Sequence, residues 1–340
     1  MQKYYYTIPP DETTGTYHMF AAVMENGCGL NAWRPNSAIA HATSKTPAGP
    51  YEFDRIIKSH FAHSPDVVRG ENGSWLVYHV GAGTNNTAPC PDPRSQTCQF
   101  TRNCSHGCTG PNKPWFSGLG FRGPSSVLRS DSPLGPWENK VVGSCQNVPG
   151  CETNATYPGN GNDMNPTSFV FANNGSVKML WRSIDYTPGS GQSYIAAASA
   201  PHWSGPFTWD TTNIFPEFSW CHIEDGHLYR NKRGWHALFH SDCEKRAGGA
   251  AGGHAWSRDG STWTFHPRNA YNNRVQLTNG QEWVLNRRER PKIILGKDGE
   301  ITHLLNGVSL PGVANECGPY SGAQDHVFTF VQPVATTRLH

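Results

Sequence analysis

The sequence has no long apolar run, no basic block and little charge of either sign. Charged residues make up 16% of the 340-residue chain, and the formal net charge is +2. A near-neutral chain without a Lys/Arg-rich segment lacks the electrostatic footprint of a nucleic-acid or anionic-membrane partner. No segment approaches the roughly 20 apolar residues of a membrane-spanning helix. Long amphipathic helical windows are also missing, which argues against an α-helical architecture. Met1-Gln2-Lys3-Tyr4-Tyr5-Tyr6 lacks the apolar centre of a signal peptide. The expectation at this end is a trimmed or partial product, or export by another route.

What the chain has instead is punctuation. Hydrophobic content is only 36%, while Gly 36, Pro 26 and Trp 12 are high. That composition fits many short strands, tight turns and aromatic packing between sheets. Ten cysteines, an even number, permit full pairing and point to an oxidising compartment. The four at Cys90, Cys98, Cys104 and Cys108 are separated by seven, five and three residues, which does not match paired C-x-x-C zinc ligands. They are read as disulfide formers, as are Cys145 with Cys151 and Cys221 with Cys243. N-x-[ST] sequons at Asn72, Asn85, Asn103, Asn154 and Asn174 agree with secretion.

One short pattern recurs: an apolar strand ending near Ser, a turn, then Gly-Pro-aromatic. It appears as Ser44…Gly49-Pro50-Tyr51, Ser130…Gly135-Pro136-Trp137 and Ser199…Gly205-Pro206-Phe207, with a degenerate copy at Ser257…Gly260…Trp263. A spacing of roughly 55–85 residues is too long for a helical solenoid and fits one propeller blade. Between the copies lie hairpins with Asn-Gly or Asp-Gly turns, the strongest short-range hairpin signal. They join Pro65–Arg69 to Ser74–His79, Thr167–Phe171 to Val177–Arg182, and Pro291–Leu295 to Ile301–Leu305. A Gly234 turn joins Gly226–Tyr229 to Trp235–His240 in the same way. The expected fold is all-β: a single-domain five-bladed β-propeller over residues 1–340, with a Cys-rich insert at about 81–123. Blade one would take its first strand from Met1–Pro10, where the pattern is poor, and Val327–Val331 would close the ring against it.

A propeller aims the starts of its inner strands at one axis. Those starts are polar here: His63-Ser64, Asp163-Met164-Asn165, His222-Ile223-Glu224-Asp225 and Arg287-Arg288-Glu289-Arg290. Asp163, Glu224, Asp225 and Glu289 are the carboxylates among them. Arg182, Arg288 and Arg290 suit a carboxylated sugar, because guanidinium forks match carboxylates. His41, His63, His222, His240 and His254 are placed near the axis, where converging histidines serve as base or metal ligands. Trp33, Trp115, Trp220 and Trp283 are candidate sugar platforms, and Trp256 and Trp263 blade packing.

In this order the Gly-Pro-aromatic turns, Asn165-Pro166, Glu224-Asp225, Gly253-His254-Ala255-Trp256-Ser257 and Arg288-Glu289-Arg290-Pro291 resemble the five-bladed glycoside hydrolases of the family 43 clan, in particular its secreted branch. The resemblance covers most of the chain. It implies an inverting hydrolase of plant- or algal-type polysaccharide, with an aspartate base on blade one, a pKa-tuning aspartate on blade three and a glutamate acid on blade four. Glu224, with Asp225 as alternative or orienting partner, matches the acid, and Asp163 matches the second carboxylate that holds up the acid's pKa. Blade one offers no Asp-Pro before its first strand, and Glu289 from blade five and His63 from blade two are the available substitutes for the base. Substrate contacts fall to Asn165, Arg182, His222, Asp225, His240, His254, Arg288 and Arg290. A polysaccharide lyase with a His base and a non-catalytic carbohydrate-binding propeller remain as alternatives. Carbohydrate is the expected partner, and the one cofactor considered is a structural cation such as calcium at the axis.

Overall fold

In the computed structural model, every predicted hairpin is the inner half of an antiparallel sheet, and five such sheets surround one axis. The structure describes residues 2–7, 11, 14–25, 37–83, 124–143, 162–184, 193–211, 213–218, 223–241, 251–285, 287–310 and 327–334. All ten cysteines, most of the 81–123 insert, three sequons (Asn85, Asn103, Asn154), and Trp33, Trp115, Trp220 and His222 lie outside them.

Blade one is β1 (Gln2–Thr7), β2 (Tyr17–Met24), β3 (Ser37–Ser44) and β4 (Glu52–Lys58). Blade two is β5 (Phe61–Arg69), β6 (Trp75–Gly83), β7 (Ser125–Ser130) and β8 (Glu138–Gly143). Blade three is β9 (Asn162–Val170), β10 (Val177–Ile184), β11 (Ser193–Ala200) and β12 (Thr208–Thr211). Blade four is β13 (Ile223–Asn231), β14 (Gly234–Ser241), β15 (Ala251–Ser257) and β16 (Thr264–Tyr271). A small hairpin that the sequence did not announce, β17 (Arg274–Gln276) with β18 (Glu282–Val284), precedes blade five. Blade five has three strands, β19 (Arg287–Leu295), β20 (Ile301–Ser309) and β21 (Phe328–Pro333).

The first strand of each sheet touches the first strand of the next: β1 with β5, β5 with β9, β9 with β13, β13 with β19, and β19 back to β1. That circuit makes the ring. The tail strand β21 hydrogen-bonds to β20 and so completes blade five, and it lies close to β1 of blade one.

Each sheet twists and buries its faces against its neighbours, so the core is a set of wedges between blades. Phe20, Ile39, Val67, Trp75 and Leu128 fill the wedge between blades one and two. Tyr78, Met179 and Trp181 fill the next. Leu180, Trp235, Phe239 and Phe265 follow between blades three and four, and Leu238, Tyr271, Ile293 and Leu304 between four and five. Trp263 is buried, as expected of a packing residue, whereas Trp256 is 41% exposed and only donates its indole N–H to the Arg233 carbonyl.

The repeated turn has a physical reason. Gly49, Gly135 and Gly205 sit at φ +87°, +89° and +89°, a region that side chains rarely adopt. The aromatic ring two residues on folds back over each glycine, and a Cβ on Gly135 would lie 2.8 Å from Trp137 Cδ1. Gly135→Ala is therefore expected to cost at least about 1 kcal/mol of unfolding free energy, read from the denaturant midpoint.

Candidate active site

Three inner strands share a bulge at the same phase. The register shifts between His63 and Asp66, between Glu224 and His227, and between Glu289 and Lys292. At each bulge one residue is left-handed: Ser64 at φ 48°, Asp225 at φ 55° and Arg290 at φ 54°. Such a conformation costs a non-glycine residue about 1–2 kcal/mol and persists only where the surroundings hold it. The next residue is Pro65, Gly226 or Pro291, and blade three carries Asn165-Pro166 at the matching place without a bulge.

The bulge residues hold one another. Arg290 Nη1 donates to Ser64 Oγ and lies 3.2 Å from Asp225 Oδ1. Asn165 Nδ2 donates to the same Oδ1 at 2.7 Å. Asp225 Oδ1 thus joins blades three, four and five, and Arg290 carries the link on to Ser64 of blade two. The other oxygen, Asp225 Oδ2, is buried without a hydrogen-bond partner among the described residues. Burial raises the Asp225 pKa to about 6; Arg290 pulls against this and Glu224 adds to it.

A second layer lies two or three residues further along the strands. Asp66 Oδ1 accepts from Lys292 Nζ at 2.7 Å, and Oδ2 accepts from Ser168 N at 2.7 Å and Ser168 Oγ at 2.9 Å. His227 Nδ1 stands 3.8 Å from Asp66 Oδ1. Burial alone would push the Asp66 pKa up, but Lys292 and His227 hold it well below the usual carboxylate range. Asp66 therefore binds blades two, three and five directly and faces blade four. The sequence reading passed over it. A carboxylate after Pro65 in an apolar strand, opposite a lysine after Pro291, was the available signal.

One residue before each bulge stand His63, Glu224 and Glu289. Glu224 Oε2 pairs with Arg182 Nη2 at 3.0 Å, and Glu224 Oε1 with His240 Nδ1 at 3.2 Å. Arg182 and His240 come from the neighbouring second strands β10 and β14, and both are buried, while Glu224 keeps 21% of its side chain exposed. Burial disfavours charge on His240, but the Glu224 hydrogen bond and the fields of Glu289 and Asp225 outweigh it and raise its pKa to about 9. Burial, with Arg290, holds His63 well below the usual imidazole value, against an opposing pull from Glu224. Glu289 is half-buried, and its field reaches both His240 and Asp225.

Asp225 and His240 both bind protons more tightly folded than unfolded, so both favour the folded state at low pH. The Asp225 contribution is full below pH 3.8 and lost as pH rises through about 6. The His240 contribution is full below pH 6.5 and lost as pH rises through about 9. Denaturant midpoints are expected to fall across this window, and His240→Gln to flatten the part above neutrality.

Of the residues singled out from sequence, the structure brings together His63, Asn165, Arg182, Glu224, Asp225, His240, Glu289 and Arg290. Asp163 lies on β9, its side chain outside the description. Three placements need correction. Arg288 is buried away from the ring: it donates to Asn306 Oδ1, the Asn272 carbonyl and Gln332 Oε1, over the Tyr271 ring. His41 and His254 lie on third strands, two strands out from the axis, where they bond His18 and His236. Strand alternation gives the face of a residue and not its distance from the axis, which is why sequence misplaced them. Trp283 packs on Val275 and Leu285 beside the extra hairpin.

Glu224, Asp225 and His240 each offer a ligand atom within 4.8 Å of the others. They do not suit calcium, which takes six to eight oxygen ligands. Both Glu224 oxygens and Asp225 Oδ1 are already committed, and two guanidiniums stand beside them.

The ring is similar in fold to those of solved glycoside hydrolases. A GH43 protein of Bacillus licheniformis matches with a TM-score of 0.55 at 14% identity, over 99% of this chain and 54% of its own. The chain thus spans about half the length of that protein. An α-L-arabinofuranosidase of Lactobacillus brevis matches with a TM-score of 0.58 at 13% identity, covering 96% of this chain and 89% of that one. An endo-arabinase of Bacteroides thetaiotaomicron matches with a TM-score of 0.55 at 13% identity, over 99% and 96%. The shared property is the five-bladed fold. No protein-family model and no curated protein matches the chain in sequence.

Proposed function

We propose that the protein is a secreted glycan-active enzyme, a glycoside hydrolase of the inverting type acting on plant- or algal-type polysaccharide. The observation that carries this reading is the Glu224 carboxylate, partly exposed at the ring and held by Arg182 and His240. It occupies the blade-four position that the family 43 resemblance assigns to the acid. The proton that a leaving oxygen needs resides on the Glu224–His240 pair, whose imidazole stays charged up to about pH 9. Glu289 supplies the second carboxylate and acts as base, replacing the aspartate that blade one lacks. Inversion then requires the two carboxyl groups to stand roughly 6.5–9.5 Å apart, with water between them. Asp225, pinned by Asn165 and Arg290, positions the Glu224 backbone and does not touch the sugar. The cysteine count and sequons support secretion, and Asn72 and Asn174 are exposed at hairpin turns.

The lyase reading draws on one observation, the neutral His63 beside Arg290. Products decide between them. Incubation with arabinan, xylan and galactan is expected to release reducing ends, and proton NMR of the first product to show an inverted anomer. An unsaturated, ultraviolet-absorbing product would establish the lyase, and binding without turnover on all three would overturn the enzymatic reading.

A further inference from the structure

Far from the axis, where blade one meets the turn between β7 and β8, the surface opens a cleft of about 510 Å³. Its floor holds a relay of three side chains. Asp54 Oδ2 lies 2.9 Å from His41 Nδ1, and His41 Nε2 lies 3.0 Å from His18 Nδ1. Arg55 bonds both Asp54 oxygens, and with His41 keeps that carboxyl below its usual pKa.

The protons along this relay follow from its anchored end. A carboxylate only accepts, so His41 Nδ1 carries the hydrogen. Burial lowers the His41 pKa, leaving the ring neutral with Nε2 bare. His18 Nδ1 must then donate to it. His18 is itself lowered to about 4, by burial and then by His41, so it too is neutral and its Nε2 is a lone pair. His18 is 7% exposed, lines the cleft, and has no hydrogen-bond partner for Nε2 among the described residues. Three strands are thus organised to present one acceptor to this cleft.

The rest of the wall selects the ligand. Asp11 and Glu52 add carboxylates and Thr43 a hydroxyl, so the cleft is rich in acceptors. At its rim stand Phe53, 45% exposed, and Leu134, 46% exposed. A partner rich in hydroxyl donors, with one apolar face, meets both demands. A metal ion is a poorer match, because the His/Asp/Glu grouping tight enough to share an ion, among the described residues, is at Glu224 and not here. We propose that this cleft is a second carbohydrate-binding site, in which a sugar hydroxyl donates to His18 Nε2 while the ring face covers Phe53. It stands independently of the chemistry assigned to the axial ring.

The test uses the full chain carrying Glu224→Gln, with xylohexaose and arabinohexaose as probes. Long-range proton–nitrogen NMR of the histidine rings, assigned with His18→Gln, should show His18 protonated on Nδ1. One of the two sugars should move its Nε2 resonance. Phe53→Ala, an exposed substitution, should weaken that response at least tenfold. Shifts confined to His63 and His240, no response to either sugar, or a His18 response to Zn²⁺ alone would overturn the proposal. None of these outcomes bears on whether Glu224→Gln abolishes turnover, so the two readings fail separately.

Discussion

Glu224→Gln is expected to lower turnover by about 10²–10⁴-fold, the usual worth of a general acid, while leaving the fold intact. Glutamine keeps the length of the side chain and an oxygen to accept from Arg182 or His240, so packing at the ring changes little. What disappears is the charge. The Glu224 hydrogen bond is the strongest influence holding the His240 pKa at about 9, so that value should drop toward the ordinary imidazole range in the variant. Histidine NMR titration reads this directly, and a merely structural role for Glu224 would not couple it to turnover. Unchanged turnover in a folded Glu224→Gln protein would sink the assignment.

Asp66→Ala is expected to cost about 3–5 kcal/mol of unfolding free energy, because it takes from the buried Lys292 ammonium the carboxylate it donates to. Lys292 is 4% exposed and also donates to the Gly226 carbonyl, at 3.0 Å. Ser168 loses the acceptor for both its amide and its hydroxyl. Urea denaturation measures the loss. Replacing both partners by apolar residues, Asp66→Leu with Lys292→Met, should recover part of it, since no charge is then stranded. A double variant as unstable as the single one would show that the Ser168 contacts dominate.

The fold was legible because its signals are local. Asn72-Gly73, Asn174-Gly175 and Asp298-Gly299 turns fix hairpins, and Gly-Pro-aromatic fixes the blade edge. Blade one was hard to read because Tyr4-Tyr5-Tyr6 shows no alternation, yet the segment pairs with β2 all the same. The site was legible in outline, since a polar residue before Pro or Gly marks the bulge in Ser64-Pro65, Asp225-Gly226 and Arg290-Pro291. Its wiring was not. Asp66 and Lys292 are 226 residues apart, and nothing in either segment names its partner. Arg288 and Arg290 look equivalent in sequence, but the bulge between Glu289 and Lys292 parts them: one reaches Asp225, the other Asn306. The amide of Asn165 gives Asp225 a donor rather than a competitor for its proton.

The way the ring closes has a mechanical consequence. Each sheet is built from one continuous stretch of chain, and β1 approaches β19, β20 and β21 of blade five without joining their sheet. Four of the five blade boundaries are crossed by the polypeptide, and the fifth is not. A force that separates the two termini therefore acts on the one boundary that the backbone does not cross and that, among the described residues, no strand ladder bridges, and the propeller gapes there first, like a cut washer.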